Sequence, residues 1–495
     1  MSTYSYFIAL VIWFSQGAYG NCLVSNSNGS PASPKYDPHF LILSSVSACP
    51  QNVMEYKSLL LKTGLRVNPS LVANRGRNNP SMGSFSFFEE VTGSLKGNSN
   101  SALAVNAGEF FFGHFTAKQN NEIVLDQAQR KGQLLIELIA WDSAKKLFNF
   151  YELIGNGQGA QWFYRGDSQD ILKDNQLLYR TSQPQFGKTL RCSACHSSGG
   201  PIMKELSFPH NDWWTTKRPL SFGAAKVSSP INEWLKNLQS AEVFSHSVQL
   251  GIQKLQTSPS YQQIKSQQSL QEQLRPLFCD TEINLISSPS ASSDSVAAFA
   301  LPSAAFLNPL FGSSMLNFSK ANYSAFVSKF GLHFPETSFN DADHIWLSPV
   351  KAYADLLAIE ILLKKGLVDL KFVYDVLSVD SKISLFSPER CQLLKLVPAG
   401  ASGDWKRIFS FQLQSSTWPS AKTLLSFMND SKRNPLFYQQ AAKEYLMNLQ
   451  KQGISQDLFL KLLKDRQAVF NSEISKNSLG QILEPGFRVI FPQPH

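Results

Sequence analysis

Long apolar runs are scarce in this 495-residue chain. The one nearest the start, Phe7 to Phe14, spans eight residues, well short of the roughly 20 that a membrane-crossing helix requires. Tyr353 to Leu363 is also short and is followed by Lys364-Lys365, so no transmembrane segment is expected in the mature chain. Basic clusters are lacking too. The formal charge of +9 is spread thinly, without the Lys/Arg block that marks a nucleic-acid partner. No Ser-His-Asp set, P-loop or dinucleotide fingerprint can be read. No repeat of solenoid length is present. What remains is an ordinary globular composition, 43% hydrophobic and 17% charged, long enough for two or three domains.

Cysteine and histidine are also few, six and eight respectively, yet three of them fall together in Cys192-Ser193-Ala194-Cys195-His196. This is the C-x-x-C-H pattern of covalent haem attachment. Two thiols add across the haem vinyl groups, and the adjacent imidazole is left to ligate the iron. The pattern thus nominates Cys192, Cys195 and His196 as binding residues for one haem c, with His196 as the iron ligand. A thioredoxin-like dithiol would need a strand before the pair, and Gln185 to Leu190 is a weak one. A structural zinc needs four ligands, and no second Cys or His pair at finger spacing exists.

The compartment is a separate reading. The first 20 residues carry no charged side chain, and the apolar run is followed by Ala18-Tyr19-Gly20, small residues at cleavage-site spacing. A signal peptide over 1–20 and a periplasmic mature protein are expected, which suits haem attachment outside the cytoplasmic membrane. Asn21 before Cys22 argues against a lipid anchor. With the motif set aside, Cys22, Cys49, Cys279 and Cys391 allow three pairings in an oxidising compartment. Neighbour pairing, Cys22 with Cys49 and Cys279 with Cys391, is preferred over free buried thiols.

Organisation follows from periodicity. Residues 21–180 read as a β-rich domain after a short helical pattern around Tyr56 to Leu65. Leu134 to Trp141 and Leu147 to Ile154 form a hairpin across Asp142 to Lys146. Downstream, Ser229-Pro230, Ser348-Pro349, Ser387-Pro388 and Asn434-Pro435 each place a capping residue before proline and predict helix starts. Amphipathic helices are expected over Trp234 to Leu255 and Phe437 to Leu449, the latter closed by Gly453. Ser287 to Ser295 reads as a loop and 300–345 as irregular. The expected fold class is α+β and multidomain: a β-rich N-terminal domain, a mostly α-helical haem region over 181–345 and a helical C-terminal region over 346–495.

Cys192, Cys195 and His196, with Gly200-Pro201 after them, resemble the c-type cytochromes. The run Arg191 to Leu206 and the following Pro209 to Trp214 are similar to large single-haem proteins of Gram-negative bacteria. The resemblance implies a cytochrome-c-like haem region, one-electron transfer and a periplasmic redox partner protein. A carbonyl near Pro201 is expected to accept the Nδ1 proton of His196 and strengthen it as a ligand. For the sixth iron ligand the sequence offers Met203, His210, His246 and Met315, or an open site; Met203 is too near His196 to wrap easily to the opposite haem face. A filled site favours an electron carrier, and an open one a peroxidase- or oxygenase-like enzyme.

Overall fold

The computed structural model describes residues 22–72, 86–95, 103–127, 129–173, 192, 196, 198–202, 225–239, 241–279, 283–287, 298–303, 306–312, 314–331, 347–381, 388–400 and 403–461. The expected signal peptide, Cys195, Met203, His210, the Gln185–Leu190 segment and most of the Ser-rich stretch after Ser287 lie outside them.

Two short helices, α1 (Pro38–Ser44) and α2 (Val53–Lys62), precede the strands. Asp37 caps the first by accepting from the Phe40 amide, and Asn52 caps the second through the Glu55 amide. The helical pattern read up to Leu65 stops at Lys62, because Leu65 opens β1 (Leu65–Val72). Next come β2 (Ser86–Leu95), β3 (Leu103–Val105), β4 (Phe110–Gln119), β5 (Glu122–Leu125), β6 (Leu134–Asp142), β7 (Leu147–Gly155) and β8 (Ala160–Asp167). They form an antiparallel sheet in the order β1-β2-β4-β6-β7-β8, with β3 on β2 and β5 on β4. The β6–β7 hairpin falls where expected. Asp142 Oδ1 accepts the amides of Ala144 and Lys145, each at 2.9 Å, an Asx turn that reverses the chain.

Every residue of β7 is buried, because the sheet is covered on both faces. One face carries Phe87, Phe112, Leu138, Tyr151 and Trp162 against α1 and α2. The other carries Phe111, Ile139, Trp141, Phe148 and Phe150. Period-two alternation along each strand sorts its side chains between the two cores.

The second face is covered by helices from later in the chain. After β9 (Lys226–Val227), which pairs in parallel with β5, come α3 (Ser229–Lys236), α4 (Ala241–Thr257), α5 (Pro259–Ser266) and α6 (Leu270–Phe278). Phe244, Val248, Ile252 and Leu255 of α4 and Tyr261 of α5 join the second core. The single amphipathic helix expected over Trp234 to Leu255 is two helices, broken after Lys236. The cap of α3 is Ser228 rather than Ser229.

The described residues between 300 and 331 are more regular than expected. Hairpin β11 (Ala298–Pro302) with β12 (Met315–Ser319) follows β10 (Ile283–Ser287), and α7 (Lys320–Lys329) follows the hairpin. Ser348-Pro349 starts no helix; it lies in β13 (Leu347–Lys351), which among the described residues pairs with β10 alone. An edge strand tolerates a proline that has no amide proton to donate. The rest is helical: α8 (Tyr353–Lys364), α9 (Leu370–Leu377), α10 (Pro388–Gln392), α11 (Trp405–Ser415), α12 (Pro419–Asn429) and α13 (Pro435–Gln452). The last begins at Asn434, which accepts from the Phe437 amide, and ends at Gly453 with φ +77°. A third core lies among α6, α8, α9 and α11 to α13. Among the described residues no helix is long and apolar enough to cross a membrane.

Both preferred disulfides form, Cys22 to Cys49 and Cys279 to Cys391. That overturns the free-thiol alternative for these four.

Candidate functional site

Strand β7 supplies the floor of the site. Phe150 projects from the second face, and the His196 imidazole stands edge-on to it with ring centroids 5.1 Å apart. Cys192 is partly buried against the same core. The His196 amide donates to the Cys192 carbonyl at 2.9 Å, and the Gly199 amide to the His196 carbonyl at 2.7 Å. Gly199 has φ +74°, and a Cβ there would come within 2.8 Å of the Ser168 carbonyl oxygen. Both facts require glycine at this position.

His196 Nδ1 lies 2.8 Å from the Gly200 carbonyl oxygen. A carbonyl only accepts, so Nδ1 carries the proton and Nε2 keeps its lone pair. This is the arrangement expected near Pro201, with Gly200 supplying the oxygen. The turn is held from two further sides. Tyr261 Oη donates to the Ser198 carbonyl at 2.9 Å. Pro201 packs so closely on α4 that a Cβ on Gly251 would meet its Cγ at 2.8 Å.

Two features would suit a covalently held haem, a thiol on an apolar wall and a histidine with a fixed tautomer; the space beside Gly199 and Gly200 is taken by Ser168 and Leu255. Of the motif, Cys195 lies outside the described residues, so its position relative to Cys192 is not described. The candidate sixth ligands that are described stand apart. His246 is exposed on α4, between the buried Phe244 and Val248. Met315, a possible core residue from sequence, is 36% exposed at the start of β12.

Sequence reasoning missed Phe150, Tyr261 and the neighbourhood beyond Ser198, where a cavity of about 120 Å³ opens among α5, α6 and α8. Aromatic and lysine positions in amphipathic segments carry no signal of what they will face.

It also missed a buried cluster on the first sheet face. Glu89 Oε1 is 2.5 Å from Lys57 Nζ and 2.7 Å from His114 Nε2. Phe87 stacks on His114 at 5.2 Å, and Lys57 lies 3.7 Å from the Trp234 ring centroid. Burial pushes the His114 pKa down, so the imidazole is neutral. Burial alone would raise Glu89, but Lys57 and His114 outweigh it and hold the carboxylate ionised. With Glu89 and His114 almost wholly enclosed, no substrate has access. The cluster ties α2 to the sheet.

No family model, no curated protein and no solved structure matches this chain.

Proposed function

We propose that the chain is a periplasmic c-type haem protein that passes single electrons, with one haem held by thioethers to Cys192 and Cys195 and ligated by His196. The observation that carries this reading is the C-x-x-C-H sequence combined with the 2.8 Å contact from His196 Nδ1 to the Gly200 carbonyl. The haem would supply the one-electron chemistry. The chain's own residues have definable tasks. Gly200 orients the imidazole and makes Nε2 a stronger donor. Phe150 limits rotation of the ring. Tyr261 and Gly251 hold the turn against α5 and α4. A helical, cytochrome-like region around the motif and a periplasmic redox partner belong to the same proposal.

Denatured protein matured in a periplasm with haem lyase should retain haem-linked peroxidase staining on a gel. Extraction of the haem into acidic acetone would overturn the proposal, and a chain without Soret absorption would point to a zinc or dithiol module. Amino-terminal sequencing should begin near Asn21; an intact Met1 in a soluble cytoplasmic fraction would contradict the location.

A second reading is a haem enzyme with an open sixth position, and the solvent exposure of His246 and Met315 favours it. Electron paramagnetic resonance of the ferric protein separates the two. A low-spin signal that one substitution, Met203→Ala or His210→Ala, converts to high spin supports the carrier. A high-spin wild-type signal with rapid peroxide turnover supports the enzyme.

A further inference from the structure

Lys265 lies in the last turn of α5 and lines the cavity beyond Ser198. Among the described residues, no hydrogen-bond or ion-pair partner reaches its ammonium group. The surrounding charges are otherwise engaged. Arg275 grips both oxygens of Glu272 at 3.1 and 2.9 Å, and Lys365 donates to Gln262 Oε1 at 2.6 Å.

Two polar atoms on the cavity wall are buried without a hydrogen bond, Ser198 Oγ and Gln268 Oε1. Buried polar groups are nearly always satisfied, so these two atoms, beside the half-buried Lys265 ammonium, point to an occupant. Ser198 is fixed in place, since Tyr261 holds its carbonyl. Leu172, Ala354, Ala358, Ile361 and Leu362 supply an apolar wall.

We propose that this cavity binds a short-chain monocarboxylate, with its charged end on Lys265 and Ser198 and its carbon tail against the apolar wall. A carboxylate accepts from the ammonium and the hydroxyl at once. A half-turn of the Gln268 amide adds Nε2 as a third donor. Glu272 and Asp355 sit near enough to act on Lys265 electrostatically, which disfavours a dianion such as phosphate. The volume of about 120 Å³ suits a ligand of a few heavy atoms. At about 30 Å³ per water, a handful of waters is the competing content. The site does not depend on haem being bound.

The protonation of Lys265 sets the pH dependence. Burial lowers its pKa to about 8. Facing it are Glu272 and Arg275 from α6, Asp355 from α8, Lys365 beyond that helix, and Tyr261 of its own helix, whose hydroxyl burial pushes far above the physiological range. The carboxylate needs the charged amine, so its affinity should fall about tenfold per pH unit above about 8.

The test is isothermal titration of the full chain with acetate, propionate and butyrate. Saturable binding is expected, weakened at least tenfold in Lys265→Met and several-fold in Ser198→Ala, and unchanged in the surface control Lys236→Met. Absence of saturable heat, or equal affinity in wild type and Lys265→Met, would show a water-filled cavity only and overturn the proposal. Should Lys265→Met fail to fold, Ser198→Ala decides: affinity equal to wild type in that variant overturns it.

Discussion

The β-sheet region and the helical region that ends the described chain are stabilised by different means. Under the sheet, polar groups are buried in quantity and pair across distant strands, although His39 Nε2, Glu89 Oε2 and His114 Nδ1 are left without a partner among the described residues. Asp37 accepts from Tyr151 Oη at 2.5 Å and from Asn149 Nδ2 at 2.7 Å while capping α1. His39 meets Tyr56 Oη at 2.7 Å, and Glu89 gathers Lys57 and His114. The helical core is mainly apolar. Its buried charges are few: Arg390 bonds Asp380 at 2.7 Å and the Phe278 carbonyl at 3.1 Å, beside the Cys279–Cys391 bridge, and Asp375 accepts from Tyr438 Oη and Lys371 Nζ, each at 2.8 Å. A sheet must satisfy polar groups brought together from far along the chain. A helix satisfies its backbone locally and needs only caps and apolar contact.

The bridges differ in the same sense, enclosing sequence separations of 27 and 112 residues. Loop entropy then assigns about 5 kcal/mol to the longer and about 3.5 kcal/mol to the shorter. Cys279→Ala with Cys391→Ala should therefore be the most damaging change, lowering the denaturant midpoint of the helical region first. Equal losses from the two double variants would break the comparison.

Next in size is Glu89→Gln. It leaves the buried Lys57 ammonium without its counter-charge, a loss of about 4 kcal/mol. Urea unfolding followed by Trp fluorescence measures it. Little change would mean that the polar network under the sheet is dispensable.

Acid titration sharpens the contrast further, because Asp37 and His39 oppose each other. Burial lowers His39 to about 3. Below its ordinary 6.5, the unfolded chain takes a proton that the folded chain refuses, so stability present at neutral pH is lost as pH falls. Burial raises Asp37 to about 6, so below that pH the folded chain takes a proton first and gains relative stability. In Asp37→Asn, which leaves His39 alone, stability should fall by about 2 kcal/mol from pH 6.5 to 5. In His39→Gln the slope should reverse, with a gain of about 1 kcal/mol over the same interval. Thermal melts at the two pH values check both signs.

The smallest effect is local. Asn434→Ala removes the cap of α13 and should cost about 1 kcal/mol, with no change in the sheet region's response to pH.

Much of the helical region was legible, because caps and periodicity act over a few residues. Asn434 with Pro435 marked a start, and Gly453 marked the end. Ser348-Pro349 misled because the dipeptide is as acceptable at a strand edge as at a helix start, and pairing with β10 is decided from afar. Trp234 to Leu255 misled because its apolar period continues across the break between α3 and α4. Of the candidate site, the motif and the carbonyl near Pro201 could be read from spacing. The Phe150 contact could not, since it depends on which face of β7 the turn lands upon.

Local sequence was enough for the β6–β7 hairpin, the cap and end of α13, the C-x-x-C-H spacing at Cys192 to His196, and the preferred disulfide pairing. These rest on interactions between near neighbours or on the scarcity of cysteine. Tertiary structure alone decided the sheet order, the burial of Glu89 with Lys57 and His114, and the meeting of Ser198, Lys265 and Gln268 around one cavity. Such encounters depend on how two sheet faces are covered by segments far apart in the chain, and short-range periodicity carries no record of that packing.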